Sequence, residues 1–142
     1  MGYTEQAEMI AALLAKINKN IHRVLARHIE SFGLNVSQLM VLRAIFLARH
    51  LSISELSERI GLTSSTVSGI IDRLEKEGYV FRQRDKLDRR VVYVSLTEKS
   101  RALKEQIPLF RPNYAAGWIG DLAPEKVNQI IESLAILADR IQ

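Results

Sequence analysis

The chain has 142 residues, room for about one domain or one core with a helical extension. Hydrophobic residues make up 47% and charged residues 25%, which excludes a disordered chain, and 20 Lys and Arg against 16 Asp and Glu leave a formal charge of +4 that favours a polyanionic partner without proving one. The absence of cysteine excludes disulfides, thiolate metal sites and thiol-based redox sensing.

The first eight residues carry two glutamates and no basic residue, unlike a secretory signal, and no apolar run approaches the roughly 20 residues of a membrane span. A soluble, cytoplasmic protein without a membrane partner is expected. From Ala7 to Phe32 apolar side chains recur at Ile10, Leu14, Ile17, Ile21, Val24 and Leu25, the spacing of a long amphipathic helix. At ~1.5 Å per residue it spans roughly 40 Å. Its stripe either meets another chain or packs within the monomer.

After Gly33, Ser37 is the expected N-cap of a helix through Leu39, Val41, Leu42, Ile45, Phe46 and Leu47. Ser52 to Glu55 has capping-box spacing, and the next helix buries Ile53, Leu56 and Ile60 before stopping at Gly61. Thr63 caps a second short helix, with Val67, Ile70, Ile71 and Leu74 inward and a stop at Gly78. Two short helices joined by a tight glycine turn are a helix-turn-helix pattern. Two strands follow, Tyr79 to Arg84 and Val91 to Leu96, around a charged turn. Thr97 caps a helix through Leu103 and Ile107 that Pro108 and Pro112 should kink or interrupt. A final helix opens at Pro124 and stripes Val127, Ile130, Ile131, Leu134, Leu137, Ala138 and Ile141 along one side.

The outer face of the second short helix carries Ser65, Ser68, Gly69, Asp72 and Lys76, with Thr66 and Arg73 at its flank. Small hydroxyl side chains suit a major groove roughly 12 Å wide. An exposed mid-helix glycine costs ~1 kcal/mol relative to alanine, and close approach of the backbone to a partner is a motive for it. Taken alone, such a face is as readily an ordinary solvated one. The hairpin alters the balance, because between Tyr79 and Lys104 eight basic residues stand against three acidic ones, a net +5 that concentrates the excess charge of the chain.

These runs carry a resemblance. Ser54 to Gly61, then Ile71-Asp72-Arg73-Leu74-Glu75-Lys76-Glu77-Gly78, then Asp88-Arg89-Arg90 and Leu96-Thr97-Glu98-Lys99, resemble the MarR (multiple antibiotic resistance regulator) family of winged helix-turn-helix transcription regulators, and the likeness extends over the chain. It implies a mainly α fold with a small β-hairpin wing. Residues 34–97 would form the DNA-binding domain, and 1–33 with 98–142 the helical dimerisation region. It also implies a helix from Ser64 in the major groove, Arg90 in the minor groove, and Asp88 orienting a nearby arginine; Arg73 is either that partner or a phosphate contact. The expected DNA-contacting set is Ser37, Thr63, Ser64, Ser65, Thr66, Ser68, Gly69, Arg73, Lys76, Arg84, Lys86, Arg89 and Arg90. Ile10, Leu14, Ile17, Val127, Ile131, Leu134, Ala138 and Ile141 are expected at a homodimer interface.

Double-stranded DNA is the implied partner, on a pseudo-palindromic operator, and a ligand-responsive repressor the implied role. His22, Phe46, Phe110, Tyr114 and Trp118 are the candidates for a pocket taking a small aromatic or anionic effector, although buried aromatics usually belong to a core. His22, His28 and His50 lack helical metal-pair spacing, so neither a metal nor a cofactor is expected. No glycine-rich phosphate loop, nucleophile elbow or HExxH run is present, which argues against an enzyme. The rival readings are a winged-helix module working through protein contacts, and a DNA binder without an effector.

Overall fold

A computed structural model describes residues 1–141, which fall into two compact units, Met1–Arg111 and the stretch from Pro112 to the end. Helix α1 (Tyr3–Ile29) starts where the Glu5 carboxylate accepts the Gly2 N–H at 2.8 Å. Only Leu25 and Ile29, in its last turns, are buried. Ile10, Leu13 and Ile17, farther toward its start, are exposed. The final turn expected of this helix tightens into a 3-10 turn at Glu30–Phe32, ended by Gly33 at φ 70°.

Helix α2 (Val36–Ala48) is capped by Asn35 rather than by Ser37. A reciprocal cap needs a Gln or Glu three residues on; Asn35 has Gln38, and Asn35 Oδ1 accepts the Gln38 backbone N–H at 2.8 Å while Gln38 Oε1 accepts the Asn35 backbone N–H at 2.9 Å. Ser37 has Met40 at that spacing and sits exposed in the first turn. Leu39, Val41, Leu42 and Ile45 of α2 are fully buried and form the middle of the core.

Strand β1 (His50–Ser52) was not legible in the sequence, because three residues are too short to show a period of two. It pairs antiparallel with β3 (Val92–Leu96), which also pairs with β2 (Val80–Arg84), giving the order β1-β3-β2. Between these strands lie α3 (Ile53–Ile60) and α4 (Ser64–Lys76). Ser52 caps α3 through the Glu55 N–H, and Thr63 caps α4 through the Thr66 N–H. Gly61 at φ 75° makes the turn between them, where an L side chain would be strained.

Helix α5 (Glu98–Leu103) is shorter than the reading through Ile107. Pro108 excludes helical backbone at the residue before it, and Ile107 is extended at φ −109°, ψ 111°. Its side chain is nevertheless fully buried, and a 3-10 turn at Pro108–Phe110 adds Leu109 and Phe110 to the core. In the second unit, a 3-10 turn at Tyr114–Trp118 precedes α6 (Pro124–Arg140), which opens on its proline. No residue of α6 is buried, and Ile130, Ile131, Leu134 and Ile136 are exposed. Among the described residues no single helix is long and apolar enough to cross a membrane.

Candidate nucleic-acid interface

Helix α4 is held by its inner side. Val67, Ile71 and Leu74 are fully buried at 3-and-4 spacing, and Ile70 at their edge is half-buried. The opposite side leaves Ser64, Ser65, Thr66, Gly69, Arg73 and Lys76 exposed and Ser68 half-buried. Thr63 and Thr66 share a 2.9 Å hydrogen bond. No atom lies within 4 Å of where a Gly69 Cβ would stand, so packing inside this chain gives no reason for a glycine there.

The loop between β2 and β3 is tied down by its own acids. Asp85 Oδ1 accepts the N–H groups of Leu87 and Asp88 at 2.7 and 3.3 Å. Asp88 accepts the Arg90 N–H at 3.1 Å and takes its guanidinium in a two-pronged grip at 3.0 and 3.2 Å. Those bonds hold the Asp88 carboxyl below its ordinary pKa. The arginine oriented by Asp88 is therefore Arg90, two residues along, and not Arg73, which lies 3.9 Å from Glu77 on its own helix. Arg84 donates to the Arg89 carbonyl at 2.8 Å and braces the same loop. Lys86, Arg89 and Arg90 stand exposed.

Arg82 does something the sequence did not disclose. Its guanidinium reaches from β2 to α4, donating to Asp72 Oδ1 at 2.6 Å and Glu75 Oε1 at 2.8 Å, while its backbone N–H donates to Glu75 Oε2 at 3.2 Å. Burial works against its charge, but the two carboxylates outweigh that and raise its pKa above the ordinary value. Asp72 and Glu75, three residues apart on one helix, could have suggested a shared cation; which one was hidden by the chain reversal between. Arg82 thus contributes little to the net +5 and instead ties strand to helix.

The start of α5 closes the junction from the other side. The Thr97 hydroxyl donates to the Gly78 carbonyl at 2.6 Å, the Ser100 hydroxyl donates to the Tyr79 carbonyl, and Lys99 Nζ donates to the Glu77 carbonyl at 2.8 Å. Carbonyls that end α4 are so satisfied, and Lys99 also lies 4.3 Å from the Tyr79 ring centre.

The five candidates for an effector pocket divide between the two units. Phe46 and Phe110 meet edge to face at 5.4 Å, with Phe110 in the core. Tyr114 and Trp118, in the second unit, meet likewise at 5.8 Å. His22 is exposed on α1. Among the described residues no cluster of three His, Asp or Glu is placed to hold a metal ion.

A helix-turn-helix whose second helix is welded to a basic, three-stranded sheet with a protruding loop is a winged helix-turn-helix. The profile of the MarR family matches residues 34–92, from the start of α2 to the start of β3. The HTH-type transcriptional regulator PrsX of Escherichia coli is 32% identical over 115 residues, which is 80% of this chain and 69% of the relative. The chain belongs to the MarR family, whose members are transcription regulators and not enzymes. A mutant MarR from E. coli complexed with operator DNA is similar in fold, with TM-score 0.77 and 21% identity over 96% of this chain and 99% of that one. The regulator BldR from Sulfolobus solfataricus gives 0.72 and 24% over 99% and 100%.

Proposed function

We propose that the chain is a DNA-binding transcription regulator, acting as a homodimer on a pseudo-palindromic site. The observation that carries this reading is the α4–wing unit: an exposed hydroxyl face and an arginine-tipped loop locked to each other by Arg82. In the major groove, Ser65 and Ser68 are within the reach of base edges, Gly69 admits a close backbone, and Thr66, Arg73 and Lys76 meet phosphates. Arg90, pre-aimed by Asp88, enters the minor groove, where groove width and potential are read. That a mutant MarR of similar fold was solved in complex with operator DNA supports DNA as the partner.

Exposed apolar stripes support dimerisation. Ile10, Leu13 and Ile17 on α1, and Ile131 and Leu134 on α6, are 42 to 59% exposed at helical spacing, and apolar stripes left open in this way favour a protein partner. Burying both stripes against a second copy presents two α4 helices about one DNA turn apart, roughly 34 Å. A dimer on a promoter blocks polymerase by occupancy, so the proposed sign is repression, relieved by a small aromatic or anionic effector.

Titration of selected duplexes at several salt concentrations tests this. Z phosphate contacts give a log–log slope of about −0.9Z, and Arg90→Ala, present twice, should weaken binding and flatten the slope by about 1.8. A salt-independent affinity, or an unchanged Arg90→Ala, would refute the interface.

A further inference from the structure

The tip of the wing carries an apolar side chain among its cations. Leu87 is 99% exposed, more open than any other large apolar side chain among the described residues, and buries almost nothing of itself against the chain. A single leucine on a surface is ordinary. This one stands between Lys86 and the Arg89–Arg90 pair, and from Lys86 to Arg90 the other exposed residues are all cations.

Its backbone is fixed although its side chain is free. The Asp85 N–H donates to the Val91 carbonyl at 2.9 Å and the Val91 N–H to the Asp88 carbonyl at 3.0 Å, which closes the tip on itself. Asp85 Oδ1 accepts the Leu87 N–H at 2.7 Å, and Arg84 holds the Arg89 carbonyl. A side chain carried on backbone already ordered loses little further freedom on contact, so its apolar surface can be covered at a small entropic cost.

The charge of the tip selects the partner. Lys86, Arg89 and Arg90 repel a cationic surface and are costly to bury against an apolar one, so whatever covers Leu87 is polyanionic and yet offers apolar contact. The minor groove of duplex DNA has both, with phosphates along its walls and sugars and stacked bases within.

We propose that Leu87 is a wedge, entering the minor groove with Arg90 and parting the stacked bases of a flexible pyrimidine–purine step. This deepens the DNA reading and rests on it. Such steps, TA and CA, unstack most easily, so the wedge reads deformability rather than base edges and kinks the duplex toward its major groove. In a symmetric dimer the two wings place two such steps symmetrically about the centre of the site.

The test uses the full chain and a duplex selected from random sequence, with a fluorescent adenine analogue at the flexible step and a donor–acceptor dye pair on the duplex ends. The wild type should raise the emission of the analogue, as unstacking does, and shorten the end-to-end distance. Leu87→Ala should keep the wild-type urea midpoint, because the side chain supports no packing, yet abolish both signals and weaken binding about tenfold across the two wings. Leu87→Met, which keeps an apolar wedge, should restore both signals. Salt separates wedge from charge: Leu87→Ala should leave the log–log slope unchanged, whereas Lys86→Gln should flatten it by about 1.8. Exchanging the flexible step for a stiff A-tract step should weaken the wild type and leave Leu87→Ala unmoved. If Leu87→Ala binds and bends the duplex as the wild type does while Arg90→Ala loses affinity, the wedge is overturned and the DNA reading stands. Lost affinity with no change in emission also overturns the wedge, since Leu87 would then lie on the groove wall. If the wild type binds no duplex, the DNA reading itself has failed and the wedge with it.

Discussion

Arg82→Gln separates positioning from contact. The wild-type guanidinium makes bonds of 2.6 and 2.8 Å to Asp72 and Glu75, and its side chain is 26% exposed against 67% and 41% for its partners. Ion pairs this open contribute about 0.2–1 kcal/mol each after solvent screening. One fixed fork serving two acids, itself mostly sheltered, places the pair together near the upper end, about 1–2 kcal/mol. With a urea slope of about 2 kcal/mol/M, the unfolding midpoint should fall by about 0.5–1 M at matched protein concentration. If DNA needs the wing in its present position, the same energy is withdrawn from binding, and affinity drops by up to five- to thirtyfold. The decisive measurement is the salt slope. Arg82 touches protein and not phosphate in this arrangement, so Arg82→Gln should leave the slope unchanged while Arg90→Ala flattens it. A loss of slope of about 1.8 in the glutamine variant would make Arg82 a phosphate contact and refute the bridging role. Adding Asp72→Asn to Arg82→Gln should cost less than the sum of the singles, because both remove one interaction.

Glutamate at Leu134, which is 45% exposed on α6, should leave helicity intact and halve the sedimenting mass; an intact dimer would remove α6 from the interface. Ile71→Ala empties a fully buried site beneath the hydroxyl face of α4 and should cost about 2–5 kcal/mol in denaturant unfolding. Tyr79 is held above its ordinary pKa by burial and then by the nearby Glu77 charge. Its neutral form is the one the fold favours, so its contribution is complete below pH ~10 and lost as the pH rises through the folded value. Absorbance titration should show one tyrosine ionising late, and Tyr79→Phe should remove that late step.

The helices α3 and α4, the two wing strands and α6 could all be read before any coordinates, because each carries its own punctuation. Ser52 and Thr63 cap, Gly61 turns, Pro124 opens, and apolar spacing gives the inner face. Short or conflicted signals failed. β1 has three residues, Ser37 resembled a cap until Asn35 and Gln38 paired, and α5 ends at Leu103, short of Ile107, which the following proline holds extended. For the site, the residue types on α4 and the loop were visible as a linear pattern, whereas their fastening was not.

Local chemistry, in short, was written along the chain: period, caps, turn residues and the concentration of positive charge all depend on neighbours within a few positions. Which charges remain free to meet a polyanion did not. Arg82 is consumed by Asp72 and Glu75 and Arg90 is steered by Asp88, while Arg49, Arg101 and Lys104 gather from distant stretches around one hollow. Electrostatic partnership depends on distance through space, and folding sets that distance where sequence separation cannot.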